Sequence, residues 1–261
     1  MAQNPTFNSF SFQDGNFITS DIVYRTIPTR DLVLENIARK PGKKLIAEEF
    51  IERRIKLTGW ILGTDNNNLI SLIDGLHTNV TRKTSGTLTV DANREIEAIV
   101  ASVSIGDAHF SQSMVPMEVE FLAAEPFWKG PQQTVSLTVT SGTAQPQTQS
   151  FAITISGSVF AEPAITYNAL AGTGTTTTSG IIINYQPTAE TVTWSGGANA
   201  LPYGNYIKFD YQNQLILQGS TKIEASGVFS RWEPGVTNVT VTYSGGQQGG
   251  SLDFVYRPRY L

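Results

Sequence analysis

Met117-Glu-Val-Glu-Phe-Leu-Ala-Ala-Glu-Pro-Phe-Trp-Lys-Gly130 is the stretch whose reading decides the fold. It begins as a strand. Val115, Met117, Val119 and Phe121 point one way, while Pro116, Glu118 and Glu120 point the other. It stops at Glu125-Pro126-Phe127-Trp128-Lys129-Gly130, because Pro126 removes a ladder donor and Gly130-Pro131 breaks any regular element. Composition changes at the same place. Residues 1 to 130 carry 13 Lys/Arg and 16 Asp/Glu, whereas residues 131 to 261 carry 5 and 6. Two differently built domains are expected, 1–130 and 131–261, with Phe127 and Trp128 as the joint between them.

Upstream, Ile55, Leu57, Gly59 and Ile61 alternate with Arg54, Lys56, Thr58 and Trp60, which predicts a long strand from about 52 to 62. Asp65-Asn-Asn-Asn68 supplies capping side chains for one helix near 66–81, whose stripe is Leu69, Leu72, Ile73, Leu76 and Val80. Gly75 weakens that helix. Strands are predicted near 87–90 and over 94–105. At the N-terminus Phe7, Phe10, Phe12 and Phe17 flank a turn at Asp14-Gly15, the pattern of a hairpin. The charged segment from Arg25 to Lys44 ends in Lys40-Pro-Gly-Lys-Lys44 and reads as a loop or a projecting hairpin tip.

Downstream, no helical period survives. Short alternating runs occur at 135–139, 151–155, 165–167, 181–185, 192–194, 206–209, 215–217, 239–243 and 252–256. Gly/Ser/Thr-rich turns separate them, the pattern of an antiparallel β-sandwich. The fold class is therefore mainly β: an N-terminal β domain with one α-helix, then an antiparallel sandwich. No internal repeat suggests a solenoid.

The formal net charge is -4, so nothing favours sequence-specific nucleic-acid binding. With no cysteine there is no disulfide framework and no thiolate metal site. No apolar run reaches membrane-spanning length, and the first residues lack a secretory pattern. No membrane association is expected, and the chain reads as made in the cytoplasm.

Catalytic constellations are sparse. Asp74 and His77 lie three apart on the predicted helix, but no nucleophile motif accompanies them and a surface pair is the better reading. His109 is the other histidine. Glu118 and Glu120 mimic a glycosidase pair only in residue type, since neighbours on one strand define no cleft. Set against the cationic residues Arg53, Arg54 and Lys56, they form opposite-signed rows that pair either within one sheet or between copies of the chain. Both rows are candidate subunit-interface residues. Trp194, Tyr203, Tyr206 and Trp232 are possible sugar-stacking aromatics, although core positions suit aromatics on short strands better. No catalytic, cofactor-binding or metal-binding residue is assigned, and no enzyme is expected.

The order of parts resembles a known family. Arg53-Arg-Ile-Lys-Leu-Thr-Gly-Trp60 precedes the helix; Gly86-Thr-Leu88, Arg94-Glu-Ile-Glu-Ala98 and a strand ending in Glu125-Pro-Phe-Trp128 follow. This is similar to the N-terminal domain of distal tail proteins of long-tailed, non-contractile bacteriophages. Tyr206-Ile-Lys-Phe-Asp210, Asn213-Gln-Leu-Ile-Leu-Gln-Gly219 and Phe229-Ser-Arg-Trp-Glu-Pro-Gly-Val-Thr-Asn-Val-Thr-Val-Thr242 resemble that family's C-terminal, galectin-like sandwich.

The resemblance implies a structural virion protein at the phage tail tip. It would form a homo-hexameric ring through its first domain, joining the tail tube protein to the baseplate hub or tail-tip protein, with receptor-binding or fibre proteins as further partners. A central channel would pass DNA. A carbohydrate-binding baseplate module for host adhesion is the alternative, as is a tube subunit with an added sandwich. A galectin-type sugar site needs a histidine, and the second domain has none; Arg231-Trp-Glu233 is an isolated fragment of such a set.

Overall fold

The structure is a computed structural model. It describes residues 4–36, 43–81, 85–91, 93–106, 113–140, 146–169, 178–196, 200–202, 204–224, 226–245 and 249–261, with side chains for all but 35–36 and 43–48. The Lys40-Pro-Gly turn, His109 and Tyr203 lie outside the described residues. The chain divides into two compact units, 1–129 and 130–260.

In the first unit, β1 (Thr6–Phe7), β2 (Phe10–Ser11), β3 (Phe17–Val23), β4 (Thr29–Asn36) and β5 (Lys43–Leu62) precede α1 (Asn66–Leu76). β6 (Gly86–Asp91), β7 (Arg94–Ile105), β8 (Met114–Ala123) and β9 (Trp128–Lys129) follow. The sheet order is β2-β1-β6-β7-β8-β5-β3, antiparallel throughout. The two long alternations have the predicted phase: Ile55, Leu57, Ile61, Val115, Val119 and Phe121 are fully buried. Phe121 packs on Phe7 and Phe12, with ring centroids 5.2 and 6.1 Å apart.

The N-terminal aromatics are held by two turns where one was predicted. Asn8 and Ser9 adopt positive φ (49° and 73°) between β1 and β2, the backbone that a two-residue hairpin demands. The Asp14-Gly15 turn is also present: Gly15 has φ 95°, and the Asp14 carboxylate accepts from the Asn16 and Phe17 N–H groups, both at 3.0 Å.

The helix starts as expected. Asp65 accepts from the Asn68 N–H at 2.9 Å, and the Asn68 side chain accepts from the Thr64 N–H at 3.0 Å, so two exposed donors gain partners. The expected single helix to residue 81 ends at Leu76. His77–Thr81 then forms a π-helical turn. Val80 stays buried beneath Leu76, so the apolar stripe continues although the hydrogen-bond period widens.

The second unit is the expected sandwich. One sheet, ordered β10-β20-β12-β15-β16-β17, is made from β10 (Gln133–Val139), β12 (Ala164–Ala169), β15 (Tyr206–Asp210), β16 (Leu215–Gln218), β17 (Thr221–Ile223) and β20 (Gly250–Tyr256). The other, ordered β11-β19-β13-β14-β18, is made from β11 (Gln147–Ile155), β13 (Thr178–Tyr185), β14 (Glu190–Ser195), β18 (Ser226–Gly227) and β19 (Gly235–Gly245). β21 (Arg259–Tyr260) ends the unit. β17 and β18 are too short to leave a period in sequence. Between the sheets an aromatic core centres on Trp232, fully buried against Tyr185, Tyr211 and Phe254 with ring centroids 5.2, 5.7 and 5.8 Å away.

Candidate assembly surfaces

The rows of opposite charge lie on the outer face of the first unit's sheet, on neighbouring strands β5 and β8. Directly opposite pairs are Lys56 with Glu120 and Thr58 with Glu118. The ion pairs are diagonal instead: Lys56 Nζ to Glu118 at 2.7 Å and Arg54 to Glu120 at 3.3 Å, with Glu52 adding a second carboxylate to Arg54 at 3.1 Å. Sheet twist brings diagonal neighbours within reach of long side chains. Hydrogen bonding and charge from Glu52, then Glu120, hold the Arg54 guanidinium above its ordinary pKa. Pairing within one sheet, one of the two alternatives open in the sequence, is present in the chain.

Arg53 departs from the row. It points to the opposite face, 1% exposed, where Nε donates to the Pro126 carbonyl at 2.7 Å and Nη1 to the Tyr24 carbonyl at 2.8 Å. Burial, with the positive field of Arg94 second, lowers its pKa to about 10. Its remaining amino group, Nη2, has no hydrogen-bond partner among the described residues. A strand alternates strictly, so Arg53 and Arg54 cannot share a face. Arg53 is a core residue of the unit.

The same pocket holds the expected joint. Trp128, 1% exposed, stands edge-on to Tyr24 with centroids 5.6 Å apart, lies beneath the Arg53 guanidinium at 5.7 Å, and donates Nε1–H to the Tyr24 carbonyl at 3.4 Å. Phe127 packs edge-on to Phe50 at 5.6 Å. These contacts are all inside the first unit. They make Phe127 and Trp128 part of the first unit's core.

The charged Arg25–Lys44 segment, expected as a loop or a projecting hairpin tip and as a candidate arm toward a neighbour, contributes to a hairpin. β4 pairs with the first half of β5, Thr29 with Glu52 through Asn36 with Lys43. β8 joins β5 only from Arg53 onward. Residues 29–36 and 43–52 are therefore a two-stranded ribbon with no further sheet neighbour among the described residues. Leu32, Val33, Leu34 and Ile51 on it are all about half exposed (48, 51, 48 and 50%), and Ile27 at its base is 66% exposed. The signal was present in Leu32-Val-Leu34, an apolar run inside a charged segment. Arg30 stacks over Phe50 at 4.9 Å, which ties the ribbon's base to the core beside Phe127.

In the second unit neither tryptophan presents a face to a sugar. Trp194 is 3% exposed and Trp232 is fully buried, so both are core residues. The fragment around Trp232 is divided: Arg231 lies over the Phe160 ring at 4.4 Å and pairs with Glu162 at 3.6 Å. Tyr206, at 42%, is the exposed member of the set on β15. A cleft of about 850 Å³ lies at one edge of the sandwich, bounded by the rim of Trp194 and by Gln218, Thr221, Lys222 and Glu224. On the outer face of the β20 sheet Asp253 is held by Ser136 (2.6 Å) and Asn168 (2.7 Å).

Asp74 and His77 are both exposed, and the link between them is a backbone hydrogen bond, the His77 N–H donating to the Asp74 carbonyl. Among the described residues no group of three or more His, Cys, Asp or Glu side chains is placed to hold a metal ion. Among the described residues, no helix is long and apolar enough to cross a membrane.

Comparison with known proteins follows this division. Residues 6–123, nearly all of the first unit, match the family described as the phage tail protein RIFT-related domain. No curated protein matches the sequence. Among solved structures, the Dit protein of phage SPP1, described as a paradigm of the hub adsorption apparatus of phages infecting Gram-positive bacteria, superposes over 100% of both chains with TM-score 0.76 at 13% identity. Two structures of the phage P2 baseplate, in the activated conformation with calcium and with strontium, align at 10% and 9% identity with TM-scores of 0.42 and 0.44. They cover 99% and 97% of this chain and 98% of theirs. The SPP1 likeness establishes a shared two-unit β fold. Over residues 6–123, this chain is similar to the phage tail proteins that carry the RIFT-related domain.

Proposed function

We propose that this chain is a structural component of the virion, not an enzyme, that assembles with copies of itself into a hexameric ring at the distal end of a phage tail. The ring joins the tail tube to the baseplate hub or tail tip, and its centre leaves a channel for DNA. Receptor-binding or fibre proteins attach around it. The observation that carries this reading is the two-stranded ribbon of 29–36 and 43–52 on a RIFT-related tail domain. A two-stranded ribbon is marginal in water by itself, and this one exposes Leu32, Val33, Leu34 and Ile51. A neighbouring copy supplies the missing cover.

The outer row of Arg54, Lys56, Glu118 and Glu120 has a different part in the ring. Its charges are already neutralised in pairs, so it can abut a neighbour without presenting a net field. Arg53 supports the ribbon's base from within.

Negative-stain microscopy and light scattering of the purified chain test the proposal. Rings are expected, and Leu32→Glu with Leu34→Glu should abolish them while circular dichroism stays unchanged. A wild-type chain that remains monomeric at high concentration and puts no ring on tail tubes overturns it. A stack of many rings would instead mark a tube subunit.

The carbohydrate reading keeps one observation in its favour, the polar cleft beside Lys222 and Glu224. It no longer rests on Trp194 or Trp232 as stacking platforms. Glycan-array binding lost in Lys222→Ala would support it; no binding to any glycan would remove it.

A further inference from the structure

A β-sandwich has open strand edges along its two sides, and in the second unit the two sides are built differently. On one side the edge strands are β17, three residues including Lys222, and β18, two residues ending in Gly227 at φ 105°. Short, charged or kinked edges are how sheets avoid adding a further strand. On the other side stand β10 and β11, of seven and nine residues. Their registers on β20 and β19 run unbroken from end to end, with no bulge. Neither contains proline, and no Asp, Glu, Lys or Arg occurs anywhere between Lys129 and Glu162. Among the described residues, none of these protections occurs on this side.

The interior is also unfinished there. Ile153 and Ile155 are buried, but Val135, Leu137 and Phe151, which face inward at the same margin, are only partly covered. Gln149 reaches across from β11 to the Thr140 carbonyl at 3.2 Å and to the Tyr243 hydroxyl at 3.2 Å, so the two edges are held side by side. An added strand would complete the ladder of β11 and lay its inward side chains over that apolar seam.

We infer that the β11 edge is a pairing site for β11 of a second copy of this chain. The seam requires a strand without charge, apolar on alternate residues facing in, small and hydroxylated facing out. β11 meets that description itself: Phe151, Ile153 and Ile155 face in, and Thr148, Ser150, Ala152 and Thr154 face out. A charged strand would find no counter-ion anywhere along the edge. Two identical strands meet antiparallel about a two-fold axis, each the partner of the other, and the five-stranded sheet continues across the pair. The contact uses only the second unit and does not depend on the ring.

The absence of cysteine makes the test direct. Thr148→Cys, Ser150→Cys, Ala152→Cys and Thr154→Cys are compared in the full chain with Asn238→Cys, an exposed position on β19 one strand further in. Under mild oxidation, the β11 position nearest the axis should form a disulfide-linked dimer much faster than Asn238→Cys. Ser150→Lys added to the best of the other three should remove that dimer. Cross-linking at β11 no faster than at the control, or untouched by Ser150→Lys, overturns the inference. So does a chain that shows no cross-link alone but protects its β11 amides from hydrogen exchange in assembled tails; that result assigns the edge to a strand of another tail protein. Dimers without rings would leave the inference standing while removing the proposed function.

Discussion

The two units each bury one tryptophan completely, but they surround it differently. Trp128 sits in a polar-lined pocket, with the Arg53 guanidinium above it and the Tyr24 carbonyl receiving its N–H. Trp232 sits among Tyr185, Tyr211 and Phe254, and its Nε1–H has no hydrogen-bond partner among the described residues. The first unit brings charge inside to join elements far apart in sequence: Arg53 connects residues 24 and 126 by two hydrogen bonds. Around Trp232 the second unit relies on ring packing, and its buried charge lies elsewhere, where Arg259 pairs with Glu162 at 2.8 Å. The surfaces repeat the contrast, with diagonal ion pairs covering the first unit's sheet and hydroxyl contacts such as Thr148 with Thr242 (2.9 Å) covering the second's.

The largest way to break this comparison is Trp128→Ala. Losing a fully buried ring and its support of Arg53 should destabilise the first unit by about 3–5 kcal/mol. Trp128→Phe should cost more than Trp232→Phe, because only the former loses a made hydrogen bond. Differential scanning calorimetry of the four forms checks this, and equal losses from both phenylalanine variants would erase the distinction between the pockets.

Next comes Gly59. A Cβ there would lie 2.2 Å from the Ile18 carbonyl oxygen, where β3 bulges toward β5 between Thr19 and Asp21. Gly59→Ala should lower the first unit's melting temperature by several degrees, corresponding to about 1–3 kcal/mol of overpacking. An unchanged melting temperature would show that the bulge yields. Gly75 is the opposite case: a Cβ there meets nothing within 4 Å, so Gly75→Ala should stabilise by about 0.5–1 kcal/mol in urea unfolding.

Alkaline pH probes the second unit. Burial, then the neighbouring Tyr167, raises the Tyr243 phenol to about 12, and burial raises Tyr211 as well. The protonated form is favoured in the folded state, so this stabilisation is complete below the ordinary tyrosine pKa of about 10 and is lost as pH rises toward 12. Second-unit stability measured against pH should therefore fall across that interval, and Tyr243→Phe should flatten the fall. A profile unchanged by the substitution would locate the alkaline transition elsewhere.

The smallest effect is expected from the charge rows. Lys56 and Glu118 are each nearly half exposed, so a double-mutant cycle with Lys56→Met and Glu118→Gln should give less than about 1 kcal/mol and leave assembly intact. Loss of rings on breaking this pair would show that assembly depends on the paired charges of this row.

Much of the fold was legible along the chain. Period-two alternation marked β5, β8 and the sandwich strands because each has one dry face. Asp65 to Asn68 marked the helix start because capping is local chemistry. The candidate surfaces were less legible. Arg53 and Arg54 look alike in sequence, and only their faces separate a core cation from a surface one. Trp194 and Trp232 read as core positions before sugar platforms, and the strands that bury them, such as the β13 partner of Trp194, come from elsewhere in the chain.

By itself, the sequence determined the β character, the change of composition near residue 130, the capped helix and the missing charge between Lys129 and Glu162. These rest on near neighbours and on composition. Only the tertiary structure decided that the ion pairs run diagonally within one sheet, that Trp128 is buried in the first unit, that the ribbon of 29–36 and 43–52 has no third strand among the described residues, and that β11 is an edge. Each of those depends on register and strand order, and pairing between residues scores apart in the chain leaves no local trace.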